Sequence, residues 1–212
     1  MTRKEALWNK QNTALRHPSD LFGAAYESAG ITADSLKFKS EAAFSELLHQ
    51  LQLTLFISRE YENLLIALTP GNTGKINQSF MHLPHPSGIA VDAATGTMYV
   101  AATRNPNQII EFRPSASYLQ RLKAEKPPVG IMLPARSKYY PGAYYFHDLA
   151  YGNGQLYANS VGMNSIIKVN MNETVPEQPA WWPLCVEKND LPVTSANYIQ
   201  LNSIALGSDL EH

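Results

Sequence analysis

Apolar residues follow two different rhythms along this chain, and the change falls near residue 50. Before it they recur three and four apart among Ala, Leu, Glu and Lys, the spacing of a helix face. Ser19-Asp20 caps an expected short helix through Leu21, Phe22, Ala25 and Tyr26, with Gly30 ending it. Ser40 to Leu48 predicts a second helix, with Phe44, Leu47 and Leu48 on one face. Residues 1–50 therefore read as a helical N-terminal segment. After it the period becomes two. Expected strands are Leu53–Ser58, Leu64–Leu68, Ile76–Leu83, Gly88–Val91, Thr97–Ala102, Gln108–Phe112, Tyr144–Tyr151, Gln155–Ser160, Ser165–Asn170 and Ile199–Leu206, with one more near Trp181-Trp182. Turn-forming clusters such as Pro70-Gly71-Asn72-Thr73-Gly74 and Gly152-Asn153-Gly154 separate them. Residues 116–126 predict a short helix closed by Pro127-Pro128.

Three of the strands begin with variants of one phrase: Ser87-Gly88-Ile89-Ala90-Val91, His147-Asp148-Leu149-Ala150-Tyr151 and Asn202-Ser203-Ile204-Ala205-Leu206. The intervals are 60 residues (147 − 87) and 55 residues (202 − 147). Recurrence on this scale, with several strands per unit, is the signature of β-propeller blades. The expected fold is mainly β: a partial propeller of about three blades' worth over residues 51–212, preceded by the helical segment. A propeller protects its sheet edges by closing into a ring. The last phrase starts a blade that the remaining residues do not finish, so the natural domain is expected to continue beyond His212, and raw sheet edges are expected to associate.

Composition narrows the function classes. The 212 residues are 44% hydrophobic and 17% charged, with a net charge of −1. That is ordinary globular composition, without the basic excess of a nucleic-acid binder. No run approaches the roughly 20 apolar residues of a membrane span. The N-terminus lacks the apolar core of a signal peptide. The single cysteine, Cys185, permits no internal disulfide, and a buried structural role is its default. A cytoplasmic location is the expectation.

The phrases Ser58-Arg59-Glu60-Tyr61-Glu62, Leu83 to Asp92, Thr103 to Gln108, His147 to Ala150, Ala158 to Gly162 and Leu201 to Ala205 resemble an uncharacterised bacterial family of conserved hypothetical proteins. Its domain is of unknown function and propeller-like, and the resemblance covers most of residues 45–207. It implies a fold and no activity. Pro86 to Asp92 is also similar to the inner-strand phrase of six-bladed propellers such as the gluconolactonase and strictosidine-synthase group.

Inner strands of successive blades line one axis, so equivalent positions converge there. Those positions hold His85, Ser87, His147, Asp148, Asn202 and Ser203, a polar set in a concave place. His147 and Asp148 are candidate catalytic residues, as a base with its orienting carboxylate. His147 and Asn202 are candidate ligands for a divalent cation, Zn²⁺, Mn²⁺ or Ca²⁺, able to acidify a water. His85, Ser87, Arg104, Asn202 and Ser203 are candidate ligand-binding residues, with Arg104 suited to an anion. Against these stands a structural role, in which His147 and Asp148 bond the backbone of neighbouring inner strands. The His82/His85 pair has a metal-like spacing but sits in a proline-bound loop. Tyr139, Tyr140, Tyr144, Tyr145 and the Trp181-Trp182 pair fit packing between blades better than sugar stacking. Walker, Gly-x-Ser-x-Gly and His-Glu-x-x-His motifs are missing from the sequence. Two functions are carried forward: a propeller domain that binds a small ligand or protein partner through its axial face, and a metal-assisted, lactonase-like hydrolase.

Overall fold

The computed structural model describes residues 1–3, 6, 31–71, 74–104, 107–115, 131–140, 144–173 and 177–207. The helices expected after Ser19-Asp20 and over 116–126 lie outside the described residues. Among the described residues one α-helix, α1 (Ala42–Leu51), precedes three antiparallel meanders and a small hairpin. The first meander is β1 (Leu55–Arg59), β2 (Leu64–Pro70) and β3 (Ile76–His82). The second is β4 (Pro86–Asp92), β5 (Thr97–Ala102), β6 (Gln108–Ser115) and β7 (Ile131–Tyr139). The third is β8 (Phe146–Gly152), β9 (Gln155–Ser160), β10 (Ser165–Val169) and β11 (Pro179–Trp181). β12 (Glu187–Lys188) and β13 (Leu191–Pro192) form the hairpin.

Period-two alternation is what stacks these sheets. In β2, Leu64, Ile66 and Leu68 turn to a cluster that includes Phe44 and Leu48 of α1, whereas Leu65 turns to the second sheet. Met98 and Val100 of β5, with Ile110 and Phe112 of β6, meet Leu65. Their neighbours Ala101 and Ile109 meet the third sheet at Phe146, Leu149, Ala158 and Ile167. The middle sheet is thus buried on both faces, as a blade between two blades must be. Leu47, expected on the inner face of α1, is 49% exposed; Phe44 and Leu48, four apart, carry the contact instead.

Turn chemistry fixes the hairpins. Asn153 and Gly154 both have positive φ (52° and 75°), the two-residue turn whose twist matches the flanking strands of β8 and β9. Strand β7 was not legible in sequence, because Pro134 and the two cations Arg136 and Lys138 interrupt its pattern. It lies on the outer edge, with Pro134 beside a bulge opposite Glu111 and Phe112, a place where a missing N–H costs little. β7 also clasps the third sheet. Arg136 joins the fully buried Glu111 (Nη2 to Oε2, 2.5 Å) to Asn172 (Nη1 to Oδ1, 2.6 Å). Lys138 donates to Glu177, which also accepts from the Tyr140 hydroxyl at 3.2 Å.

Two sequence expectations need correction. Ile199–Leu206 is not a ladder strand. It runs beside β8, tied to it by side chains, but the described residues stop at Gly207 and give it no second strand to pair with. Cys185 is exposed, because the short 3₁₀ turn Leu184–Val186 points only Val186 inward. The aromatic clusters divide. Tyr140 and Tyr144 pack with Phe146 between the second and third sheets, whereas Tyr139 and Trp181 are about half exposed.

The three phrases do occupy matching stations. β4 and β8 each start a separate sheet and stand side by side, and the 199–206 segment lies next to β8. This is a partial, propeller-type arrangement of blades, and the described residues do not close it into a ring. Among the described residues no helix is long and apolar enough to cross a membrane.

Candidate functional site

Both inner strands carry a bulge at the same place. The register of β4 against β5 shifts between Pro86 and Ile89, and that of β8 against β9 shifts between Phe146 and Leu149. Ser87-Gly88 and His147-Asp148 are the residues inside these bulges. A bulge frees backbone N–H groups from the ladder and re-aims side chains, which explains how two adjacent residues can serve different neighbours. In β8 the freed donors are recovered by one buried side chain: Asn159 Oδ1 accepts from His147 N (3.0 Å) and Asp148 N (2.7 Å). Its Nδ2 donates to Leu201 O (2.9 Å), so a single amide binds β8 to the next inner segment.

The bulges also lock the inner strands together. Ser87 Oγ donates to His147 O at 2.7 Å. Asp148 Oδ1 accepts from Leu149 N (2.9 Å) and its Oδ2 from Ile204 N (3.1 Å). Gly88 packs so tightly on β8 that a Cβ there would stand 2.4 Å from the Asp148 Cα.

A second device positions the chain just before each inner strand. Asn63 Oδ1 accepts from His85 N, Asn107 Oδ1 from Tyr145 N and Asn164 Oδ1 from Tyr198 N, each at 2.8 Å. All three asparagines are essentially buried, and Asn63 and Asn164 adopt the left-handed conformation that asparagine tolerates. Each stands at the head of an apolar strand: Asn63-Leu64-Leu65-Ile66, Asn107-Gln108-Ile109-Ile110, Asn164-Ser165-Ile166-Ile167. This recurrence is visible in the sequence, although polar turn residues carry no periodic signal that would mark it. It also sets the blade register. Asn107 and Asn164 precede third strands, β6 and β10, whereas Asn63 precedes β2. By this alignment β1 holds a second-strand place, and the described residues give the first sheet no innermost strand.

Convergence at this rim produces the candidate site. Glu60 and Tyr61 come from the β1–β2 turn, His85 from the approach to β4, Arg104 from the β5–β6 turn, and Tyr145 and His147 from the head of β8. Arg104 Nε donates to Glu60 Oε1 at 2.9 Å, and its guanidinium lies over the Tyr61 ring, 5.3 Å from the centroid. Even so paired, the Arg104 side chain is 50% exposed against 20% for Glu60. The charges of Arg104 and Glu60 both reach His85 and His147. Burial holds the His85 imidazole below its ordinary range; Arg104 adds to this, and Glu60 opposes it by its charge and a backbone hydrogen bond. Burial likewise lowers His147, with Glu60 opposing and Arg104 reinforcing. The Tyr145 phenol is pushed up to about 12, mainly by burial. His85 has positive φ (43°), and its Nδ1 is a buried atom with no hydrogen-bond partner.

Of the sequence candidates, the fold gathers His85, Arg104 and His147 around Glu60, with Ser87 alongside through the His147 carbonyl. Asp148 is turned away into backbone hydrogen bonds. Asn202 and Ser203 are exposed on a segment whose ties to β8 run through Leu201 and Ile204. His82 is exposed at the end of β3. Among the described residues no three His, Cys, Asp or Glu side chains are grouped as metal ligands would be. Glu60 and Tyr61 were not singled out from sequence, since a charged turn residue is usually just solvated.

The two imidazoles make stability depend on pH. Their folded pKa values lie below the ordinary value near 6.5, so the unfolded chain binds more protons in the acid window. Their contribution is intact above about pH 6.5 and is lost as pH falls through the folded values. Thermal melts should show the wild-type Tm dropping between pH 7 and 5 more steeply than that of the His85→Gln/His147→Gln variant; equal slopes would show that these imidazoles are not held neutral.

A solved structure of streptogramin B lyase aligns with a TM-score of 0.42 at 15% identity, over 59% of this chain and 37% of that one. The aligned part is thus little more than a third of that protein's length. No curated protein matches the chain. Residues 42–211 match the domain of unknown function DUF4915, and the protein belongs to that family.

Proposed function

We propose that this protein is a binding module that receives a small polar ligand at the rim formed by Glu60, Tyr61, His85, Arg104, Tyr145 and His147. The observation that carries it is convergence. Four separate segments deliver charged, imidazole and phenol groups to one half-exposed place. Polar groups gathered from distant sequence at one accessible spot are the usual address of a ligand. The lactonase-like alternative, with Asp148 orienting His147, draws no support from the geometry, since both Asp148 oxygens accept backbone N–H groups.

A thermal-shift screen with neutral and charged metabolites tests this. A ligand present at 100 times its Kd stabilises by about 2.7 kcal/mol, a readily measured rise in Tm. The Arg104→Ala/Tyr61→Ala variant should weaken any hit at least about tenfold, as expected for loss of a charge-assisted contact. The exposed Trp181→Ala change on the outer edge should not. No hit across the panel, or hits indifferent to the double variant, would remove the reading.

A further inference from the structure

Counting donors and acceptors at the rim goes one step further. Arg104 has no acceptor function, only donors. Tyr145, with its pKa raised, keeps its O–H at neutral pH. A neutral imidazole carries one N–H, and His85 gives its own to the Glu60 backbone. Against these donors stands the carboxylate of Glu60, among the described residues the acidic group whose charge reaches both imidazoles. Glu60 is the less exposed partner of its pair, and the open side belongs to the cation. Tyr61 supports the guanidinium from its ring face, leaving the edge with its N–H groups for another partner.

Resting on the ligand site described above, we propose that the group received by Arg104 is an oxyanion, a carboxylate or phosphate carried by a small molecule, which competes with Glu60 for the guanidinium. His85 and His147 flank this position. The charges that reach them are those of Glu60 from the β1–β2 turn and Arg104 from the β5–β6 turn; Arg104 also reaches the Tyr145 phenol just before β8, and the Asp148 carboxylate is turned away into backbone hydrogen bonds. An anion arriving there opposes the effect of Arg104 on the imidazoles and favours their protonation. Binding therefore takes up protons and tightens as pH falls.

Calorimetry on the full chain at low ionic strength provides the test, with inorganic phosphate, acetate, citrate and glucose as separate probes. At least one anion should bind. Arg104→Gln should weaken it at least about tenfold and Arg104→Lys less, because lysine keeps the charge but loses the planar fork. Glu60→Gln should tighten binding several-fold by removing the resident competitor. Corrected for the titration of phosphate and citrate themselves, affinity for the ionised probe should rise between pH 7.5 and 6 in the wild type and stay level in His85→Gln/His147→Gln. Phosphate alone or the carboxylates alone binding in this way identifies which oxyanion is taken. Anions that bind wild type and Arg104→Gln equally, or a Glu60→Gln change that weakens binding, overturn the proposal. Glucose binding that depends on Tyr61 while no anion binds overturns the oxyanion and leaves the ligand site standing. Silence of every probe together with an empty metabolite screen removes both.

Discussion

Gly88→Ala is expected to lower Tm by roughly 10 °C or to prevent folding, at a cost of about 3 kcal/mol or more. The new methyl would meet the Asp148 Cα at 2.4 Å, Leu149 N at 2.6 Å and Asp148 C at 2.7 Å. All three are backbone atoms of a strand fixed by hydrogen bonds on both sides, so neither β4 nor β8 can yield without breaking the bulges that hold the rim. Gly152→Ala makes a sharp control. Its methyl also meets a neighbour at 2.7 Å, but that neighbour is Leu206 Cδ1, the tip of a side chain that can rotate away. The same nominal crowding should then cost only about 1 kcal/mol. Melting curves of the two variants measure the difference, and an innocuous Gly88→Ala would mean that the inner strands do not stand in backbone contact.

Asn159→Leu should destabilise by about 3 kcal/mol, through unmet hydrogen bonds rather than lost volume. Leucine nearly matches asparagine in size, so little cavity forms, but three backbone groups lose their partner: His147 N, Asp148 N and Leu201 O. Two of these are bulge donors that the ladder cannot reclaim. Urea unfolding gives the magnitude. Hydrogen exchange gives the location, since protection should fall first at the His147 and Asp148 amides. Because those residues present His147 to the rim, ligand affinity should fall along with stability. A variant as stable as wild type, with those amides still protected, would show that the bulge does not depend on Asn159.

The strands, their order and the repeating head phrase could be read from residues alone. The continuous apolar run of Thr97–Ala102, the Asn153-Gly154 turn and the Ile/Leu-Ala pair shared by the head phrases are local facts, set by backbone sterics and by which faces must be dry. β7 escaped because an outer edge strand relaxes those requirements, which lets Pro134 stand within it. The 199–206 segment carries a strand's pattern but not a ladder, because a strand is completed only by a partner. Asp148 admits two readings in sequence, a carboxylate orienting a histidine or a bond to the backbone of a neighbouring inner strand, and the bulge realises the second by turning it toward Ile204 N.

By itself the sequence determined a repeated β architecture and the polar character of the inner-strand heads, since periodicity and turn residues act over a few neighbours. Only the tertiary structure decided which polar groups became structure and which stayed available. Asn63, Asn107, Asn159, Asn164 and Asp148 are consumed by backbone donors and acceptors of other segments. Glu60, Arg104, His85 and His147 come together because four loops end at one rim. That division depends on distances between residues as far apart as 60 and 147, which no local pattern encodes and which packing of the blades alone sets.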